Sequence, residues 1–214
     1  MKHDSLIVFE GLPFIAAFGV FTLIAIFFLQ QFWIAAFFLF ATVFTIWFFR
    51  NPERHTPEDE KLIISPADGK VIRIDEDFNH ELLSQPCRKV SIFMNIFNVH
   101  VNRTPYSGTV SKISYNPGSF LSANLDKASE QNERNAILVQ TDNGKEILTI
   151  QIAGLIARRI VCWVKEGAYV NRGERFGMIR FGSRLEVLMP KETKISVTVG
   201  DKVRAGETPI GMFQ

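Results

Sequence analysis

Three positions in this 214-residue chain carry side chains of types that could do chemistry, a nucleophile, a base and an acid: Ser183, His100 and Asp68. In Arg180-Phe181-Gly182-Ser183-Arg184 a serine directly follows a glycine at the end of a strand-like segment. Glycine tolerates a strained backbone in which Ser183 Oγ can attack the Gly182 carbonyl and turn the amide into an ester. A neutral hydroxyl is a poor nucleophile and needs a base within hydrogen-bond reach. A histidine oriented by a buried carboxylate is one recurrent solution. Each residue also has a plainer reading. Gly182-Ser183 could be a turn or bulge, Asp68 in Pro66-Ala67-Asp68-Gly69 a turn aspartate, and His100 a satisfied core or edge residue after an apolar strand. His3, His55 and His80 sit in polar flanks and are given no catalytic role. Cys87 and Cys162 have neither CxxC spacing nor a nearby histidine cluster, so they read as reduced, partly buried thiols, and no metal site is expected.

The elements that must position these residues differ sharply along the chain. Most of the twenty phenylalanines fall in the first fifty residues, and the remainder is polar and punctuated by glycine. Gly11 to Leu29 carries no charge, nor does Phe32 to Phe49, with only Gln30-Gln31 between them. At about 1.5 Å per residue each run spans roughly 27 to 29 Å, close to the thickness of a bilayer core. The pattern predicts an N-terminal transmembrane helical hairpin over residues 1–50. A cleaved signal peptide or a buried core helix fits less well, because the apolar stretch is too long and lacks a small-residue cleavage site. Lys2, Arg50 and Arg54 flank the runs and place both ends, and the catalytic domain, on the cytoplasmic face of the cell membrane. A formal charge of +2 argues against a nucleic-acid partner and is compatible with attraction to an anionic membrane.

Residues 51–214 read as the catalytic domain, entered through a linker with two prolines and dense charge at 51–60. Short apolar runs then alternate with Gly, Pro, Asn and Asp: 70–74, 89–101, 108–115, 136–141, 146–152, 160–164, 175–181, 185–189 and 194–199. Many short strands with turn signals predict a mainly β (α+β) domain, with 120–135 as a helix or ordered loop. Gly167-x-x-Val170-x-x-Gly173-Glu174 recurs as Gly200-x-x-Val203-x-x-Gly206-Glu207. Each copy predicts a tight turn, and the pair resembles the turns of biotinyl/lipoyl-like sandwich modules.

Gly173-Glu174-Arg175-Phe176-Gly177-Met178-Ile179-Arg180-Phe181-Gly182-Ser183 resembles the segment before the cleavage point of pyruvoyl-dependent phosphatidylserine decarboxylases. Ser65-Pro66-Ala67-Asp68-Gly69-Lys70-Val71 resembles that family's Pro-x-Asp-Gly element, and Phe97-Asn98-Val99-His100-Val101-Asn102-Arg103 its histidine segment. Asn132-Glu133-Arg134 is similar to a third short motif. The short length and Phe-Gly-Ser-Arg are similar to the compact prokaryotic branch. The resemblance implies a self-cleaving precursor, cut at Gly182-Ser183 into a heavy fragment 1–182 and a light fragment 183–214 that remain together as a heterodimer. It makes Ser183 the source of a covalent pyruvoyl cofactor that forms a Schiff base with the substrate amine, His100 the base and Asp68 its orienting acid. The implied reaction is decarboxylation of phosphatidylserine to phosphatidylethanolamine. Longer members carry a further histidine where this chain has Phe97 and Asn98, so the resemblance supplies no donor for the final proton. Two alternatives remain at this point: a membrane-anchored binding module of the biotinyl/lipoyl type, without Gly-Ser chemistry, and a pyruvoyl decarboxylase of a soluble amino acid.

Overall fold

The computed structural model describes residues 5–118, 131–154, 159–180 and 183–214. The chain divides into two compact units, Met1–Glu53 and Arg54–Gln214.

In the first unit, Pro13 sits in the opening turn of α1 (Leu12–Ile24), where its missing N–H costs nothing. The helix continues as a π-helical turn, Ala25–Leu29, and stops where Gln30 turns left-handed at φ 49°. The stretch Phe9–Leu29 is long and apolar enough to cross a membrane, whereas α2 (Phe32–Phe48) has 17 residues and is shorter. The two helices lie side by side: Phe21 stacks on Phe38 with ring centroids 5.2 Å apart, and the Thr22 and Thr42 hydroxyls are 3.4 Å apart. Thr22, Thr42 and Thr45 each donate to the carbonyl four residues earlier. Their hydroxyls are thereby satisfied without water.

The second unit is mainly β. An eight-stranded antiparallel sheet has the order β13 (Lys202–Val203), β2 (Gly69–Phe78), β3 (Cys87–Met94), β11 (Ser183–Pro190), β7 (Glu146–Ala153), β6 (Arg134–Gln140), β5 (Gly108–Asn116), β9 (Tyr169–Val170). Two three-stranded sheets accompany it: β1 (Leu62–Ile64), β14 (Pro209–Met212), β12 (Lys194–Ile195), and β4 (Val101–Arg103), β10 (Arg175–Ile179), β8 (Ile160–Cys162). The period of two along a strand sorts β11 between two cores. Leu185, Val187 and Met189 join the main core with Val90, Ile92, Ile147 and Phe176, and Leu188 joins a smaller cluster on the opposite face with Leu138, Leu148 and Ile150. With both faces covered, this central strand is buried nearly throughout.

Several expected runs change shape. The single run at 89–101 is two strands, β3 and β4, separated by a turn in which Asn98 Oδ1 accepts from Asn95 N and Asn95 Oδ1 accepts from Phe97 N. That turn moves the chain from the large sheet to a small one. The expected linker is held in place, because Arg172 donates to the carbonyls of Pro57, Asp59 and Leu62. Of the expected helix or loop at 120–135, residues 119–130 lie outside those described, and Arg134-Asn135 open β6.

The glycine echo marks an internal two-fold. Val170 in β9 and Val203 in β13 pair at opposite edges of the eight-stranded sheet, with Gly108 and Gly69 respectively. The partners echo too: Ser65-Pro66-Ala67-Asp68-Gly69 corresponds to Thr104-Pro105-Tyr106-Ser107-Gly108. Gly206 N donates to Ser65 O and Gly173 N to Thr104 O, both at 2.8 Å. The two turns also exchange bonds, Arg103 N to Pro66 O at 2.9 Å and Ile64 N to Pro105 O at 3.1 Å. Gly167, Gly173, Gly200 and Gly206 all have φ between 80° and 108°, the left-handed region where a side chain would be strained.

Candidate active site

Ser183 opens β11 at the middle of the large sheet, laddered to Met94 on one side and Ala153 on the other. It is fully buried, and its Oγ donates to Met94 Sδ at 3.4 Å. Gly182, the other half of the expected cleavage site, lies outside the described residues. The strand before it in the chain, β10, belongs to a small sheet, whereas β11 lies in the large one.

His100 immediately precedes β4 and is also buried. Ile179 N donates to His100 O at 3.3 Å, which fixes the histidine opposite the end of β10. Its ring Nδ1 lies 3.0 Å from Asn98 O. A carbonyl oxygen only accepts, so in the neutral ring the proton sits on Nδ1 and Nε2 is the basic nitrogen.

Asp68 is held by two donors: Ala205 N reaches Oδ1 at 2.8 Å and Arg54 Nη2 reaches Oδ2 at 2.9 Å. Arg54 also bridges to Glu207 at 3.2 Å. The group placed on His100 Nδ1 is therefore the Asn98 carbonyl, and the described bonds of Asp68 run to Arg54 and Ala205. The Asp68 loop is nonetheless tied to the strand that His100 introduces, through Arg103 N and Pro66 O. Next to it, Gly69 runs so close to β3 that a Cβ would lie 2.3 Å from Phe93 O.

All four sequence motifs meet at one end of the sheet. Lys70 pairs with Phe93, the neighbour of Met94, and Ser183 pairs with Met94 and Ala153. Ala153 N donates to Glu133 O at 2.9 Å, and Asn132 Nδ2 donates to Ala153 O at 2.7 Å. Glu133 Oε1 accepts from Tyr115 OH at 3.0 Å and from Ile160 N at 3.2 Å. The Asn-Glu-Arg motif thus fixes the strand beside the serine. Sequence reasoning missed Met94, Gln151 and Asn135 and gave Asn102 no role. The signal was a glutamine alternating into the buried face of Ile147-Leu148-Thr149-Ile150-Gln151-Ile152, where an apolar residue would serve packing better.

On the opposite face of β11, Arg184 and Glu186 form a buried ion pair at 2.6 Å, within a cavity of about 260 Å³ also lined by Lys89 and Arg134. Nearby, burial pushes the Asp75 carboxyl up, but bonds from Arg73 and Lys89 outweigh it and hold it below its ordinary value. Burial pushes the Cys87 thiol up to about 11 and raises Cys162 as well, so neither is a ready nucleophile. Among the described residues no group of His, Cys, Asp and Glu is arranged to hold a metal ion.

Comparison with known proteins adds an independent finding. A family profile described as phosphatidylserine decarboxylase matches residues 41–211. A phosphatidylserine decarboxylase proenzyme of Syntrophus aciditrophicus is 79% identical over 213 residues, covering 100% of both chains. Proteins with the same description from Desulfotalea psychrophila and Magnetococcus marinus are 49% and 48% identical, covering 95% and 100% of this chain and 95% and 98% of theirs.

Proposed function

The chain belongs to the phosphatidylserine decarboxylase family and is an enzyme that decarboxylates phosphatidylserine; from that premise we propose that it matures by cutting itself at Gly182-Ser183, with Ser183 becoming its pyruvoyl group. The observation that carries this reading is the placement of Ser183. It is buried at the head of the central strand, paired with Met94 beside the Phe93–Lys70 pair and with Ala153, which Asn132 and Glu133 hold.

In this mechanism His100 Nε2 takes the Ser183 hydroxyl proton as Oγ attacks the Gly182 carbonyl carbon. The Gly182–Ser183 C–N bond breaks, and the proton passes to the Ser183 nitrogen, leaving an ester. Loss of the Ser183 α-proton expels the Gly182 carboxylate and leaves dehydroalanine. Tautomerisation and attack by water then release ammonia. Asp68 is the acid of the relay: its charge favours the imidazolium, its bonds to Arg54 and Ala205 fix its loop, and Arg103 N to Pro66 O ties that loop to β4.

The residues present fit the product. A ketone oxygen replaces the Ser183 nitrogen and a methyl replaces the hydroxymethyl, so no added room is needed in a fully buried site. The pyruvoyl carbonyl supplies an electrophile for the substrate's primary amine and an electron sink as carbon dioxide leaves. Once cut, the light fragment stays in place because β11 ladders with β3 and β7 on both sides, while β13 and β14 pair with β2 and β1. A heterodimer of heavy and light fragments follows.

In the same reading α1 and α2 form a membrane hairpin, with the catalytic unit on the cytoplasmic face of an anionic membrane. Arg50 supports this, because its guanidinium lies 3.8 Å over the Trp47 ring at the end of α2, an arrangement suited to the bilayer interface. The reciprocal turns and glycine echo support kinship of the β domain with biotinyl/lipoyl-like sandwiches. Intact mass of freshly purified protein tests the proposal. A heavy fragment ending at Gly182 and a light fragment without an N-terminal α-amine are expected, with a single uncut chain for Ser183→Ala. Active enzyme consisting of one uncut chain would overturn it.

A further inference from the structure

A single file of buried polar side chains, none of which the self-cleavage mechanism uses, ends at the Ser183 hydroxyl. Asn135, Gln151 and Asn102 come from β6, β7 and β4, and none is more than 2% exposed. Asn135 Nδ2 donates to Gln151 Oε1 at 3.1 Å, and Gln151 Nε2 donates to Asn102 Oδ1 at 2.8 Å. Asn102 Nδ2 then donates to Met94 Sδ at 3.8 Å, the sulfur that also accepts from Ser183 Oγ. Each amide turns its N–H toward the serine and its C=O away from it. Aligned amides polarise one another in a low-dielectric interior, so the file has a direction as well as a path.

Packing alone does not account for this arrangement. Met94 and Ile179 place the site against the main apolar core, where aliphatic side chains would avoid the desolvation that three amides incur. The file also needs space beside β10. A Cβ on Gly177 would lie 3.2 Å from Gln151 Nε2 and 2.3 Å from Val161 O. This glycine of β10 therefore admits the amide as well as the neighbouring strand. A thioether is a weak acceptor that can direct a hydroxyl without taking its proton.

We propose that Asn135, Gln151 and Asn102 are positioning residues for self-cleavage, acting through the Met94 thioether to hold the Ser183 hydroxyl in one orientation before its proton is removed. This inference rests on the self-cleavage reading. Because the hydroxyl disappears on maturation, the file should matter to cleavage far more than to turnover. The test follows light-fragment formation by intact mass in the full chain for Met94→Leu, a volume-conserving change, and for Gln151→Met. Each should slow cleavage about tenfold, the rate equivalent of one net hydrogen bond. The kcat/KM of the fraction that does mature should fall much less. Gln151→Glu should restore much of the rate, since a buried carboxyl stays protonated and can donate to Asn102 while accepting from Asn135. A wild-type chain that never cuts would refute the self-cleavage reading instead. Wild-type cutting with unchanged rates in both variants would overturn the positioning role of the amide file, as would equal losses in cleavage and kcat/KM, which mark a structural role.

Discussion

The turns at Ser65–Gly69 and Thr104–Gly108 share one backbone design but differ in the side chain that closes it. In the second, Ser107 Oγ accepts from Arg172 N at 2.9 Å; in the first, Asp68 Oδ1 accepts from Ala205 N at 2.8 Å. These bonds occupy equivalent places in the two glycine echoes. A hydroxyl is thus enough to close such a turn. The carboxylate at Asp68 adds a second oxygen and a charge, which engage Arg54. The comparison separates two parts of one residue: Oδ1 closes the turn, and Oδ2, held by Arg54, carries the charge on which the relay proposed with His100 and Ser183 depends.

Asp68→Ser makes the first turn chemically like the second and offers the sharpest break of the comparison. The new hydroxyl can still accept from Ala205 N, so the protein should fold. With the charge gone, cleavage should fall by orders of magnitude, up to about 10⁴ as for loss of a triad member. Intact mass and a thermal melt on the same sample measure both consequences. The reciprocal Ser107→Asp should leave the cleavage rate unchanged. Normal processing of Asp68→Ser would reduce Asp68 to the turn residue that its sequence context also allowed.

Arg54→Met probes the part of the difference that Ser107 lacks. Arg54 and Asp68 side chains are only 10% and 13% exposed, so little solvent remains to replace the lost partner. Removal should destabilise the β unit by about 1–3 kcal/mol, less than for a fully buried pair because some exposure persists. The denaturation midpoint of the full chain would report it. Cleavage should slow, but less than in Asp68→Ser, since the carboxylate remains.

Much of this contrast is legible in the amino-acid sequence. The glycine echo was visible because left-handed turns restrict residue choice so strongly, and the apolar stretches because long uncharged runs stand out in any sequence. The matching Ser-Pro and Thr-Pro turns escaped notice, since the two pentapeptides share only proline and glycine and meet through bonds between distant segments. Edge strands β9 and β13 were invisible as periodic runs: two residues cannot show a period. The split between β3 and β4 was hidden because Ile96 and Phe97 continue an apolar run, although Asn95 and Asn98 already supplied the turn chemistry. At the site, Ser183, His100 and Asp68 could be named from motifs. The amide file could not, because its members come from three strands in two different sheets, brought together only by the tertiary fold.

Ser107→Ala should have the smallest effect, and it tests the structural half of the comparison in isolation. The substitution removes the acceptor of Arg172 N while leaving the Arg172 side chain on the Pro57, Asp59 and Leu62 carbonyls, so the linker stays anchored. A single part-buried hydrogen bond is worth about 1 kcal/mol net, and the exposed side of this turn lets water replace some of it. The urea midpoint should therefore fall slightly with an unchanged slope, because the surface exposed on unfolding is the same. Light-fragment formation should proceed at the wild-type rate, since Ser107 lies at the edge of the sheet where β5 meets β9, away from the central strand that begins with Ser183. A large loss of cleavage in Ser107→Ala, with the midpoint nearly intact, would show that the two turns are coupled through their reciprocal Pro66 and Pro105 bonds. The division of labour between them would then have to be given up.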